Sequence, residues 1–129
     1  MKVSTMHFDD QITFLPVADL DRSAAFYGEI LGLQLVVDQG DCRIYRVAEG
    51  AFLGVCLRPE RAGSSGVIVT LVSQDVDAWH DRITAAGGNC ESPPAAHPKY
   101  GIYQAFYRDP DGHLLEIQRF DDTAWSTHT

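Results

Sequence analysis

Two stretches of this chain, 56 positions apart, carry the same succession of local signals, and that duplication restricts the fold more than any other feature. The shift sets Ile12 on Ile68, Leu20-Asp21 on Val76-Asp77 and Gly32 on Gly88. In the first copy, residues 11–17 are β-rich, and Pro16 puts the strand's end at a sheet edge or exit. Asp19 is a good N-cap for a helix running to about Leu31. Leu20, Ala24, Tyr27 and Leu31 recur at helical spacing, Phe26 and Ile30 widen the stripe, and Gly32 suits the position just past the end. Strands are expected over 33–37, 43–47 and 51–57. The stretch 58–65 holds Pro, Gly, Ser and charges without periodicity, as a linker does.

The second copy restarts with a β-branched strand over 66–73. Asp75 caps a helix with Val76, Trp79, Ile83 and Ala86 on one face, and Gly87-Gly88 stops it. A short strand over 89–91, a Pro-rich loop over 92–101 and strands over 102–108 and 114–118 complete it. The closing strands align separately, 53–58 on 114–119, which sets Val55 on Glu116. The expected fold is α+β: one domain of two β-α-β-β-β modules whose mixed sheets form a cup around a shared pocket. Module one covers about 10–58, the linker 59–65, module two about 66–120, and a loosely packed tail 121–129.

The last two strands meet at Asp109-Pro110-Asp111-Gly112. Pro110 presets φ for the second position of a type I turn, Asp109 can bond back to the backbone, and Gly112 tolerates positive φ. Beyond the turn, Leu114, Glu116 and Gln118 share one strand face and Leu115 and Ile117 the other. A carboxylate is thereby fixed mid-strand.

Charge and cysteine usage narrow the function classes. Eighteen acidic and ten basic residues give a net charge of −8, which repels phosphate backbones and anionic headgroups. Nucleic-acid and membrane partners are not expected; a neutral or cationic small molecule is compatible. Residues 1–10 lack the apolar segment of a signal peptide, and no apolar run is long enough to cross a bilayer. Cys42, Cys56 and Cys90 are too few and scattered for a disulfide framework, so a cytoplasmic location is expected.

The segment from Val17 to Tyr27 with Leu31-Gly32-Leu33, and the closing stretch from Arg108 to Ile117, together resemble the vicinal oxygen chelate superfamily. That superfamily includes glyoxalase I, bleomycin and fosfomycin resistance proteins and extradiol dioxygenases. The resemblance spans roughly 10–120 and implies a homodimer with a cup-shaped cavity at each site. In the superfamily's enzymes, side chains at four strand positions hold a divalent metal. Carried onto this chain they are Ile12, about Val55, Ile68 and Glu116, of which only Glu116 can ligate. One carboxylate is not a metal site. Gln11 or Cys56 would join only through a bulge that reverses the strand face. No cofactor is expected and a divalent metal is disfavoured.

Glu116 is the leading candidate, either as a proton-transfer group or cationic-ligand anchor, or as a vestigial ligand position bonded to its neighbours. His97, Lys99, Tyr100 and Tyr103 place an imidazole, an amine and two phenols beside a strand, as binding groups or as loop and interface residues. Arg43 with Tyr45 would make a polar wall if their face looks into the cavity, and a solvent face otherwise. His113 is expected exposed at its turn and His80 solvated on its helix, while Trp79 and Phe26 belong to the core. The resulting expectation is a metal-free, resistance-type protein binding a small organic molecule. The alternative is an enzyme of the lactoylglutathione lyase, dioxygenase or isomerase kind using Glu116.

Overall fold

In a computed structural model, residues 6–63 and 66–121 are described. The element order repeats as the duplication requires. Module one runs β1 (Gln11–Val17), α1 (Leu20–Ala24) continued by a π-helical turn (Ala25–Ile30), β2 (Gln34–Asp38), β3 (Cys42–Ala48) and β4 (Ala51–Leu57). A 3₁₀ turn (Pro59–Arg61) leads on to β5 (Ile68–Val72), α2 (Val76–Ala85), β6 (Asn89–His97), β7 (Ile102–Arg108) and β8 (Leu114–Phe120). Asp19 caps α1 as expected, accepting from the Arg22 backbone N–H at 3.0 Å.

Each module forms one four-stranded mixed sheet, ordered β1-β4-β3-β2 and β5-β8-β7-β6. In both, the first strand pairs in parallel with the last, and the remaining pairs are antiparallel. One face of each sheet packs on the helices. Leu15, Val17, Leu53 and Val55 from the first sheet join Ala105, Tyr107, Leu115 and Ile117 from the second around Phe26, Tyr27, Val76 and Ile83. The modules therefore share a single core. The opposite faces look outward.

Polar ties lock the two modules together at the Asp109-Gly112 turn. Asp109 and Gly112 behave as anticipated: the Asp109 carboxylate accepts from the N–H groups of Asp111 (2.9 Å) and His113 (2.8 Å), and Gly112 has φ +89°. Tyr27 donates its hydroxyl to Asp109 Oδ2 at 2.6 Å. Asp111 accepts from the Ala18 N–H (2.9 Å) and from Arg22 Nη2 (2.8 Å).

Several expectations need correction. The Pro-rich stretch is not a loop after a short strand: β6 runs through Pro93 and Pro94 to His97. It can do so because β6 is an edge strand with register shifts on either side of Ser92, where missing N–H groups break no ladder. His113 is not exposed; its side chain is buried and Nε2 lies 2.7 Å from the Pro16 carbonyl, because the turn folds back onto β1. His80 is not simply solvated, since Nδ1 sits 2.9 Å from the Tyr107 hydroxyl. Cys42 and Cys56, directly opposite on β3 and β4 with Cα atoms 4.1 Å apart, form a disulfide. That removes the cysteine argument for a reducing compartment. No helix among the described residues is long and apolar enough to cross a membrane. Most of the expected tail, residues 122–129, lies outside the described residues.

Candidate functional site

Strand alternation puts Glu116 on the outward face of the second sheet, away from the helices. The ladder sets Thr70, Glu116, Phe106 and Ser92 side by side across β5, β8, β7 and β6. The next row holds Val72, Gln118, Gln104 and Ala95. Glu116 is only 8% exposed. Its Oε1 accepts from the Thr70 hydroxyl at 2.9 Å, and it forms no ion pair among the described residues. A nearly buried carboxylate with one neutral donor and no counter-charge is unusual, because buried charges are ordinarily paired.

The other candidates divide between faces. His97 shares the Glu116 face, opposite Ile102 on the neighbouring strand, but lies two rows away along the sheet. Its ring stacks at 4.7 Å on Tyr100, which in turn carries Lys99 Nζ 5.4 Å from its centroid. These three form a cluster of their own at the turn between β6 and β7. Tyr103 points the other way, toward α2, donating to Asp77 Oδ1 at 2.6 Å; that hydrogen bond holds the phenol proton and raises its pKa. Arg43 and Tyr45 also lie on the helix side. Arg43 contacts Asp21 at 3.3 Å, and Tyr45 is buried. The structure thus brings Thr70 to Glu116 and leaves Tyr103 and Arg43 on the core side.

The ladder also corrects the β4 position. Thr70 follows Ile68 by two residues and pairs with Glu116; in module one Phe14 follows Ile12 by two and pairs with Gly54. The counterpart of Glu116 is therefore Gly54. Val55 is fully buried on the helix side. β1 pairs with β4 without a register shift, so Gln11 shares the inner face with Thr13 and no bulge turns it outward. Cys56 reaches the outward face without a bulge, but its sulfur is bonded to Cys42. Sequence reasoning missed Gly54, although an isolated glycine inside a strand is itself a signal of close approach. Here the approach is by Phe14, whose ring covers it: a Cβ at Gly54 would lie 2.4 Å from Phe14 Cδ1.

Inner surfaces leave a second space. A cleft of about 330 Å³ separates Gln11, Thr13 and Leu53 from Val67, Val69 and Leu71. A smaller cavity of about 170 Å³ shares Val47 and Leu71 with it and reaches Trp79 and Ile117. The polar side chains on these walls are Gln11, Thr13 and Thr70 in the cleft and Ser73 in the smaller cavity.

With this geometry in hand, comparison with known proteins is decisive on family. Residues 7–117 match the Glyoxalase/Bleomycin resistance protein/Dioxygenase superfamily. The chain belongs to this superfamily. Among curated relatives, it is similar to a probable lactoylglutathione lyase of Vibrio parahaemolyticus, 29% identical over 118 residues, covering 81% of this chain and 86% of the relative. It is also similar to the metallothiol transferase FosB of Shouchella clausii, 23% identical over 107 residues, covering 78% and 73%. Among solved structures, a glyoxalase-related enzyme from Fulvimarina pelagi superposes with a TM-score of 0.73 at 27% identity, covering 84% of this chain and 85% of that one.

Superfamily membership raises the question of a divalent metal, and the residues do not fit one. Ile12 and Ile68 have no donor atom, Gly54 has no side chain and is roofed by Phe14, and Glu116 alone offers oxygen ligands. Among the described residues no three His, Cys, Asp or Glu side chains are grouped so as to hold a metal ion.

Proposed function

We propose that this protein binds a small, cationic organic molecule without a catalytic metal, in the manner of the resistance-type members of its superfamily. The observation that carries the reading is Glu116: a carboxylate 8% exposed, held by one hydroxyl and forming no ion pair among the described residues. A ligand cation would supply the missing charge, and Phe106 beside it offers an aromatic surface. The net charge of −8 favours approach of such a ligand. The Glu116 face of the second sheet carries exposed Ile68 and Val72, apolar surface that a second copy of the chain would cover. We infer a homodimer in which each Glu116 face is closed by the partner.

The names of the lactoylglutathione lyase relatives favour an enzyme instead, and the four strand positions are where the two readings part. A lyase of that kind needs the metal ligands that Ile12, Gly54 and Ile68 do not supply.

The test is a thermal-shift titration of protein purified without chelators, first with Ni²⁺, Zn²⁺, Mn²⁺ and Fe²⁺, then with aromatic amines and amidines. A ligand specific for the folded state raises the midpoint. The expected result is no response to metal, and stabilisation by cations that Glu116→Gln abolishes. Stoichiometric metal lost on Glu116→Ala would sink the metal-free reading, and cations acting equally on wild type and Glu116→Gln would remove the anchor.

A further inference from the structure

The cysteine pair lies on the outward face of the other sheet, apart from Glu116, and has chemistry of its own. Cys42 is buried, with 9% exposure, whereas Cys56 is partly exposed. Cys56 forms part of the wall of a cavity of about 510 Å³ that Phe14, Pro16, Arg58, Glu60 and Arg61 also line. Cys42 does not line it. Arg58 lies 3.6 Å from Asp41 and reaches the Leu57 carbonyl, while Arg61 forms no ion pair among the described residues. Asp41 offsets Arg58 from outside the wall, so the guanidinium this wall offers to an anion is chiefly that of Arg61, beside Glu60.

Thiol–disulfide exchange is governed by which sulfur an incoming thiolate can reach and by local positive charge that attracts it. Both conditions select the same atom here. We propose that this cavity is a thiol–disulfide exchange site for a small thiol bearing a carboxylate, with Cys56 the sulfur attacked and Cys42 the leaving thiol. The incoming thiolate bonds to Cys56 Sγ, the bond to Cys42 breaks, and its electron pair leaves on Cys42 Sγ, which takes a proton from water. The product is a mixed disulfide at Cys56, with the small thiol's carboxylate toward Arg58 and Arg61. Return attack by Cys42 restores the starting pair. A second small thiol instead attacks the small thiol's own sulfur, releasing a small-molecule disulfide and leaving Cys42 and Cys56 reduced. No other oxidant or reductant enters.

The experiment treats the oxidised full chain with glutathione, a thiol with carboxylates, or with cysteamine, a cationic thiol without one. The two are compared at equal thiolate concentration, quenched in acid, alkylated and mapped by peptide mass. The expected product carries glutathione on Cys56 and the alkyl group on Cys42, and forms about tenfold faster than the cysteamine product at low salt. The preference should shrink at high salt and in Arg58→Gln/Arg61→Gln. A Cys42→Ser variant treated with oxidised glutathione should hold the adduct on Cys56 stably. An adduct on Cys42 or Cys90, equal rates for the two thiols, or a pair that neither thiol opens would overturn the proposal. None of these outcomes depends on the Glu116 site.

Discussion

The ring of Phe14 fills the space that a side chain at Gly54 would need, one strand over in the parallel ladder between β1 and β4. The two positions are complementary. Gly54→Ala should push the partly exposed ring aside and cost about 1–2 kcal/mol by overpacking. In a Phe14→Ala background the same change should be nearly neutral. Urea denaturation of the four proteins in the cycle reads the coupling. Additive effects would mean that the ring does not hold Gly54 to glycine.

Glu116 and Thr70 make separable contributions. Glu116→Gln keeps the shape and removes the charge, so affinity for a bound cation should fall roughly tenfold to a hundredfold, as for loss of a charge-assisted hydrogen bond. Thr70→Val removes only the donor to Oε1, and affinity should change by a few-fold at most. Calorimetric titration with the best cation from the thermal-shift series distinguishes them.

Alkaline pH should weaken the fold. Burial, reinforced by Asp109, raises the Tyr27 hydroxyl well above its ordinary 10.0, and burial raises Tyr107 and Tyr45 as well. Below pH 10 both folded and unfolded chains keep these protons. Above it the unfolded chain releases them while the folded chain does not, so the stabilisation is full below about 10 and declines as pH rises toward the folded values. Tm followed by circular dichroism should therefore drop above that pH. Tyr27→Phe should show a shallower drop, and an unchanged slope would refute Tyr27's part in it.

The junction between the modules should be sensitive at Asp111. Asp111→Ala strands the Ala18 N–H and removes Arg22's partner, for a loss of about 2–3 kcal/mol. Arg22→Gln, with its half-exposed side chain, should cost under about 1 kcal/mol. Equal losses for the two would place the stabilisation in the ion pair rather than in the backbone contact.

How much of this was legible beforehand depends on the kind of signal. β1, β4 and β7 fall where the residues place them, because β-rich runs bounded by capping or turn residues are local statements. Asp19, Asp109 and Gly112 act as their chemistry requires for the same reason. β6 was misread because two consecutive prolines argue against a strand unless it is known to be an edge. His113 was misread because exposure at a turn depends on what the turn meets, here the Pro16 carbonyl.

The site shows the same division. By itself the sequence determined the duplicated β-α-β-β-β order, the family, the mid-strand carboxylate and the lack of ligating side chains at Ile12 and Ile68. Only the tertiary structure decided that Gly54, not Val55, is the counterpart of Glu116, that Tyr103 and Arg43 face the helices, and that Cys42 meets Cys56. Strand side chains alternate with a period of two, so a one-residue uncertainty in pairing reverses every face. Pairing is set by partners distant in the chain, and no local pattern encodes it.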